Sequence, residues 1–245
     1  MTLPVLSFFA ALVLATSFLA GVFGMAGGMI LMGGLLLILP VADAMVLHGI
    51  TQLASNGSRA LLWWSHVGLR VVARYAIGLC LALGLFAAIT FVPDQRVVFL
   101  VLGLTPFIGR ALPARFVPQV GHRFGAELCG FVCTALQLLS GVSGPLLDVF
   151  FIRSDLDRRE IVATKAACQI ISHLSKLVYF GLLVGQSVEA ALDPLTVVIA
   201  ISLAVLGTSL SRRVLERLSD ADFRRYTWWI VMTIGAGYVV AGVAG

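Results

Sequence analysis

The sequence predicts an all-α, polytopic membrane protein made of two inverted repeats, each a Gly-rich broken or re-entrant helical hairpin followed by three further helices. Three observations predict it. Of 245 residues, 60% are hydrophobic and only 12% charged, with a mean hydropathy of +1.02, whereas a soluble domain carries roughly 25% charged residues. Uncharged runs of about 18 to 20 residues recur at Tyr75–Pro93, Leu128–Leu147, Pro194–Ser211 and Tyr226–Gly245, and a spanning helix needs ~20. Sliding the chain on itself by 117 residues aligns 24–59 with 141–176 without a gap. A transmembrane barrel would show alternating polarity over strands of about ten residues, and no segment alternates.

The first repeat is assigned to residues 1–112, a cytoplasmic linker to 113–123 and the second repeat to 124–245. The chain opens with an apolar helix at about 5–23. No Lys or Arg precedes Arg59, so the positive n-region of a secretory signal is lacking and this segment is expected to stay in the protein. A break follows at Gly24, Met25, Ala26, Gly27 and Gly28, then a short apolar segment to about 39 and a polar-striped helix at about 44–64. Two plainer helices at about 75–92 and 96–111 close the repeat. The second repeat runs in the same order: a helix at about 124–140, the break Gly141, Val142, Ser143, Gly144, Pro145, a short segment to about 152, a polar-striped helix at about 161–181, and helices at about 194–211 and 223–242. Gly and Pro mark the joins.

The matches at this offset are specific. Gly24 falls on Gly141, Gly27 on Gly144, Gln52 on Gln169, Ser55 on Ser172 and Ser58 on Ser175, while Arg59 meets Lys176 and Asp43 meets Glu160. Polar residues in hydrocarbon are costly, so a duplication explains their recurrence better than chance.

Loop charge gives the orientation. Arg70 with Arg74, then Arg110, Arg115 and Arg123, then Arg153, Arg158 and Arg159, and finally Arg212, Arg213, Arg217, Arg224 and Arg225 form basic clusters expected at the cytoplasmic face. The connections holding Asp43, Asp94, Glu189 and Asp193 carry no Lys or Arg and are expected outside. The pattern holds if each break sends the chain back to the side it came from. Both termini then lie outside, and the second repeat is inverted relative to the first. Net charge is +5 and the pI about 9.4, but the positive charge is divided among these topology signals, so nucleic acid is not an expected partner. The four cysteines, Cys80, Cys129, Cys133 and Cys168, lie in apolar stretches without a ligating His or carboxylate cluster. They read as packing residues, and no cofactor or metal is implied.

Inverted repeats with broken helices place transporter substrate sites where the breaks meet near the midplane. Glycines let backbone amides approach a ligand, and the short segment after each break starts a helix whose free N–H groups favour an anion. The candidate donors are Gly27, Gly28, Ser143 and Gly144; the competing reading is that these glycines only permit close helix packing. On the following helices, His48, Gln52, Ser55 or Asn56, and Arg59 share one face, as do Lys165, Gln169, Ser172 or His173, and Lys176. Gln52, Asn56, Gln169 and His173 are expected to orient a ligand, and Arg59 and Lys176 to attract and neutralise it. The alternative for the basic pair is snorkelling to the interface. His173, and less so His48, is a candidate for proton coupling. Asp43 and Glu160 read as helix-start carboxylates. Gly141, Val142, Ser143, Gly144 also spells the Gly-x-Ser-Gly of rhomboid-type intramembrane serine proteases, with His173 as a candidate base; Ser143 aligns with Ala26, so the repeat gives the glycines a cause that needs no nucleophile.

The two Gly-rich breaks, each followed by a polar helix with Gln and Ser, and the basic stretch Arg212–Arg225 before the Gly-rich end Gly235, Ala236, Gly237, Tyr238, resemble the sulfite exporter TauE/SafE family, also described as toluene-sulfonate uptake permeases. The resemblance implies a bacterial inner-membrane carrier built from a duplicated unit, with sulfur-containing anions as substrates. The expectation is therefore a secondary transporter of a small anion, with sulfite or an organosulfonate the leading candidates, working by alternating access at a midplane site; a passive anion channel is the alternative. No phosphate-binding loop of the ATPases is present, so its partners would be the anion, the bilayer and protons or another coupling ion, in a chain that could form homo-oligomers.

Overall fold

The computed structural model describes residues 2–23, 25–151, 154–184, 188, 192–215 and 220–244. Gly24, Arg153, Glu189 and Arg217 lie outside the described residues, as do the side chains of Met25, Arg158, Arg212, Arg213 and Arg224. The described secondary structure is entirely helical: α1 (Leu3–Phe23), α2 (Met25–Leu36), α3 (Val41–Leu62), α4 (Leu69–Ile89), α5 (Gln95–Ala111), α6 (Gly125–Ser140), α7 (Gly144–Phe151), α8 (Arg158–Val178), α9 (Pro194–Leu215) and α10 (Asp220–Ala244). Five stretches are long and apolar enough to cross a bilayer, Leu3–Phe23, Leu69–Ile89, Arg159–Leu183, Pro194–Ser211 and Arg225–Ala244, and the chain is a multi-pass membrane protein. On α4, Ile77, Leu81, Leu85 and Ile89 recur at four-residue spacing and are exposed, the apolar stripe that a lipid-facing helix presents.

Local sequence explains where the helices begin and stop. The helix α4 starts at Leu69, earlier than its uncharged run, because Arg70 and Arg74 belong to its first turns. Arg74 spends its charge on Glu127, with Nε to Oε1 and Nη2 to Oε2 both at 2.7 Å, and also donates to the His122 carbonyl at 2.8 Å. A capping box starts α8: the Asp157 carboxylate accepts from the N–H groups of Glu160 and Arg159, while Glu160 accepts from the Asp157 N–H. Those backbone donors, Glu160 foremost, hold the Asp157 carboxyl below the usual carboxylate range. The sequence reading of Glu160 as a helix-start residue is thus realised as the N3 partner of the box. Past Val178 the helix widens into a π turn at Tyr179–Leu183. Gly141 ends α6 at φ +79°, in the left-handed region that favours glycine.

Both breaks turn the chain back. At 12 residues α2 is about 18 Å long, and the 8-residue α7 is about 12 Å; neither crosses an apolar core of ~30 Å. The helix α2 doubles back along α1, with Gly27 against Thr16 and Ala20, and Gly34 beside Leu12.

The most extensive pairings are α1 with α9, α4 with α6, α5 with α10 and α3 with α8. Glycines let them meet backbone to backbone: Gly207 faces the Leu14 carbonyl and Phe18 N, Gly78 faces Glu127 and Phe131, Gly130 faces Tyr75 and Leu79, and Gly103 faces Gly235. The directions are definite. Gly21 meets Ser211 where Gly207 meets Leu14 and Phe18, so α1 and α9 run parallel; Arg74 on Glu127 joins the starts of α4 and α6, so they do too. Arg96 donates to the Gly242 carbonyl at 3.0 Å and Arg110 lies 5.6 Å over the Trp228 ring, so α5 and α10 run antiparallel. The same holds for α3 and α8, joined by His48 with Lys176 at one end and, just past α3, Gly68 with Thr164 at the other. Exchanging α1–α5 for α6–α10 turns the α1–α9 pair into α6–α4 and leaves α3–α8 and α5–α10 unchanged. The matched serines obey the same exchange, since Ser55 Oγ bonds Thr208 on α9 at 2.9 Å and Ser172 Oγ bonds Tyr75 on α4 at 2.7 Å.

The apolar cores draw on both halves of the chain. One unites α1, α2 and α3 with Ala200 and Ala204 of α9, the other unites α6 and α7 with Tyr75 and Leu79 of α4. Cys129, Cys133 and Cys168 are buried in the second core and Cys80 is exposed on α4, all as free thiols. Among the described residues no three His, Cys, Asp or Glu side chains converge as a metal site.

Candidate functional site

The pair α3 and α8 occupies the centre, and its polar stripes face a cavity of about 370 Å³. Val22 and Phe23 from the end of α1, Gly144, Leu147 and Asp148 from α7, and Thr227 from α10 complete the wall. From the stripes come His48, Gln52, Asn56 and Arg59 on α3, and Lys165, Gln169 and His173 on α8. Helical periodicity makes this inevitable: residues at intervals of three and four share a face, and two such faces on antiparallel neighbours meet along their length.

Of the ten residues expected in the site, Gly28, Gln52, Asn56, Arg59, Gly144, Gln169 and His173 lie on the cavity wall. The other three stand behind it. Gly27 is pressed against Thr16 and Ala20 of α1, as the packing alternative held for the glycines. Ser143 is fully buried and donates its hydroxyl to Gln137 Oε1 at 3.0 Å. Lys176 is fully buried too, with Nζ 2.8 Å from His48 Nδ1 and 3.2 Å from the Gly141 carbonyl.

The hydrogen bonds fix which atoms remain for a ligand. Lys176 offers only donors, so His48 Nδ1 accepts and His48 Nε2 carries the proton that it gives to the Gly28 carbonyl at 3.0 Å. His48 is thereby fully engaged. His173 is held differently: Gln137 takes the Ser143 proton on Oε1 and donates from Nε2 to His173 Nδ1 at 2.7 Å. The neutral ring must then carry its proton on Nε2, a donor left for the cavity. Asn56 donates to the Gln52 carbonyl at 2.9 Å and to Gln52 Oε1 at 3.4 Å, so the Gln52 amide is turned with its Nε2 toward Gly28. Arg59 has only long bonds to Ser55, both 3.4 Å, and among the described residues no carboxylate pairs with it.

Charge and accessibility are graded along the cavity. At one end Lys165 is ion-paired to Asp148, with 28% and 36% of the two side chains accessible. In the middle Gln52, Asn56 and His173 keep 6%, 6% and 3%, and at the far end His48 and Lys176 are sealed. The wall carries two cations and one carboxylate, and Lys176 adds a third cation behind it. Such a site, rich in N–H donors and net positive, suits a small anion.

Asp148 and Gln137 have no counterpart in the first repeat, where Leu31 and Ala20 stand at the aligned positions, so a search for matched residues passes over them. The signal for Asp148 was its charge inside the short apolar segment, since a carboxylate there is costly without a purpose.

The sequence profile of the family described as Sulfite exporter TauE/SafE matches residues 8–238, nearly the whole chain. No curated protein and no solved structure matches it.

Proposed function

The chain belongs to the sulfite exporter TauE/SafE family, and from that premise we propose that this membrane transport protein is a secondary carrier of a small sulfur oxyanion or sulfonate, bound between α3 and α8. The observation that carries the proposal is the cavity: among the described residues it is a net positive, donor-lined space, accessible at its Lys165 and Asp148 end and closed at the other, where His48 and, behind it, Lys176 are buried. A dead-ended site reached from one side belongs to a carrier that alternates, whereas a passive channel needs a continuous path.

The repeats supply the means. The antiparallel pairing of α3 with α8 and of α5 with α10, and the exchange of α1–α9 for α6–α4, support two inverted repeats bounded near residues 112 and 124. In the alternate state the copies trade roles: His48 and Lys176 line the opposite cavity, and Lys165 and Arg59 become the sealed pair. The loop charges place the present cavity, near the C-terminal end of α3 and the start of α8, on the cytoplasmic side of a bacterial inner membrane, with both termini outside.

Purified protein in proteoliposomes is expected to take up labelled sulfite with saturation in concentration. Flux that rises linearly without limit would instead support the channel. The protease alternative loses its chemistry because the Ser143 hydroxyl is spent on Gln137, and among the described residues no basic nitrogen accepts its proton. Ser143→Ala should therefore leave saturable uptake within about fivefold of wild type, the effect of one buried hydrogen bond worth ~1 kcal/mol that acts only through the orientation of Gln137. Uptake rates of the two proteins check this.

A further inference from the structure

Among the charged side chains of the site, one carboxylate has no counterpart in the other repeat. Asp148 on α7 is ion-paired to Lys165 on α8, while the aligned positions in the first repeat are Leu31, fully buried, and His48. The pair His48 and Lys176 is closed over with no carboxylate among the described residues in contact with it, because neutral His48 accepts from Lys176 at 2.8 Å and the ammonium also donates to the Gly141 carbonyl. The second pair has no such arrangement. Arg59 and Lys165 are both donors only, and both line the same cavity. Burying them as His48 and Lys176 are buried requires an anion beside them. When the cavity is empty, the only one the described wall offers is Asp148.

We infer that Asp148 is an internal counter-ion: it holds Lys165 when the site is empty and gives way to the substrate anion, so that the carrier can close and return unloaded. The inference rests on the alternating-access reading above. Asp148 is a positioning residue of the empty state and a competitor of the substrate. Its presence favours net movement of anion, because a carrier that cannot close empty can only exchange one anion for another.

The test compares net uptake of labelled sulfite into sulfite-free proteoliposomes with exchange into sulfite-loaded ones. Asp148→Asn is expected to lower the ratio of net uptake to exchange about tenfold or more, since an empty return would bury an uncompensated charge. Its half-saturating concentration in exchange should fall about threefold or more as the competing carboxylate disappears. Asp148→Glu should keep the wild-type ratio. The double variant Asp148→Asn with Lys165→Met should restore the ratio while raising the half-saturating concentration. If Asp148→Asn does not fold, Asp148→Ser against Asp148→Glu makes the same comparison. Net uptake and exchange that fall in proportion, or a ratio and half-saturation both unchanged, overturn the counter-ion role while leaving the carrier intact. Wild-type protein that neither takes up nor exchanges sulfite saturably overturns the carrier itself.

Discussion

Arg59→Gln is expected to raise the half-saturating concentration for sulfite uptake by about 10- to 100-fold, the worth of one or two charge-assisted hydrogen bonds at ~1.5–3 kcal/mol each. Arg59 is the wall cation that no carboxylate neutralises among the described residues, and its bonds to Ser55, both 3.4 Å, are too long to compete with a ligand. Its guanidinium is therefore left available to a ligand, which would offset the cost of holding an unpaired charge there. Glutamine is shorter but keeps an amide donor while removing the charge. Arg59→Lys should lie between the two, because an ammonium lacks the planar fork that meets two oxygens at once. Initial uptake rates over a range of sulfite concentrations measure all three proteins. A half-saturating concentration unchanged in Arg59→Gln would mean that the anion binds elsewhere.

Gly130→Val is expected to abolish folded protein. A Cβ at Gly130 would press into the Tyr75 carbonyl and stand 3.1 Å from Leu79 N; these are backbone atoms of α4 that cannot rotate aside. The helices must separate, and the Arg74–Glu127 ion pair and the bond of Tyr75 to Ser172 are placed by the same contact. Separation costs about 3 kcal/mol or more, at the upper end of overpacking effects. Gly84, also within a spanning helix, has open space where its Cβ would be, and Gly84→Ala should be neutral or slightly stabilising. The two variants are compared by yield of monodisperse detergent-purified protein and by its melting temperature. A well-folded Gly130→Val would show that α4 and α6 are not held backbone to backbone at this crossing.

The helical plan was legible because hydrocarbon enforces it: spanning length, apolar composition and basic loops are written directly into the residues. The repeated Gln52 and Gln169 marked the site for the same reason, since polar side chains at matched positions in apolar helices need a common purpose. Three parts were not legible. Residue spacing places a side chain on a face but not at a depth, so Lys176, sharing its face with Gln169, could be read as a ligand although it is sealed beneath His48. Pairwise matching also hides whatever the copies do not share, and Asp148 and Gln137 are of that kind. The helix partners were the third gap. Nothing along the chain says that α1 packs on α9, because a glycine marks a close crossing without naming the helix that crosses it.

That pairing bears on how the protein is made. The chain is synthesised from its N-terminus at roughly 5–20 residues per second, so on the order of ten to thirty seconds separate the emergence of Phe23 from that of Pro194. During that interval Gly21, Ser17 and Leu14 sit in the membrane without the α9 surface that later covers much of α1. The first helix must wait, lipid-solvated or shielded by the insertion machinery, and the last steps of assembly are lateral docking events between segments already inserted. Chains released before α9 is complete would carry a polar, glycine-lined groove into the bilayer, and membrane quality control would see that groove as the mark of an unfinished protein.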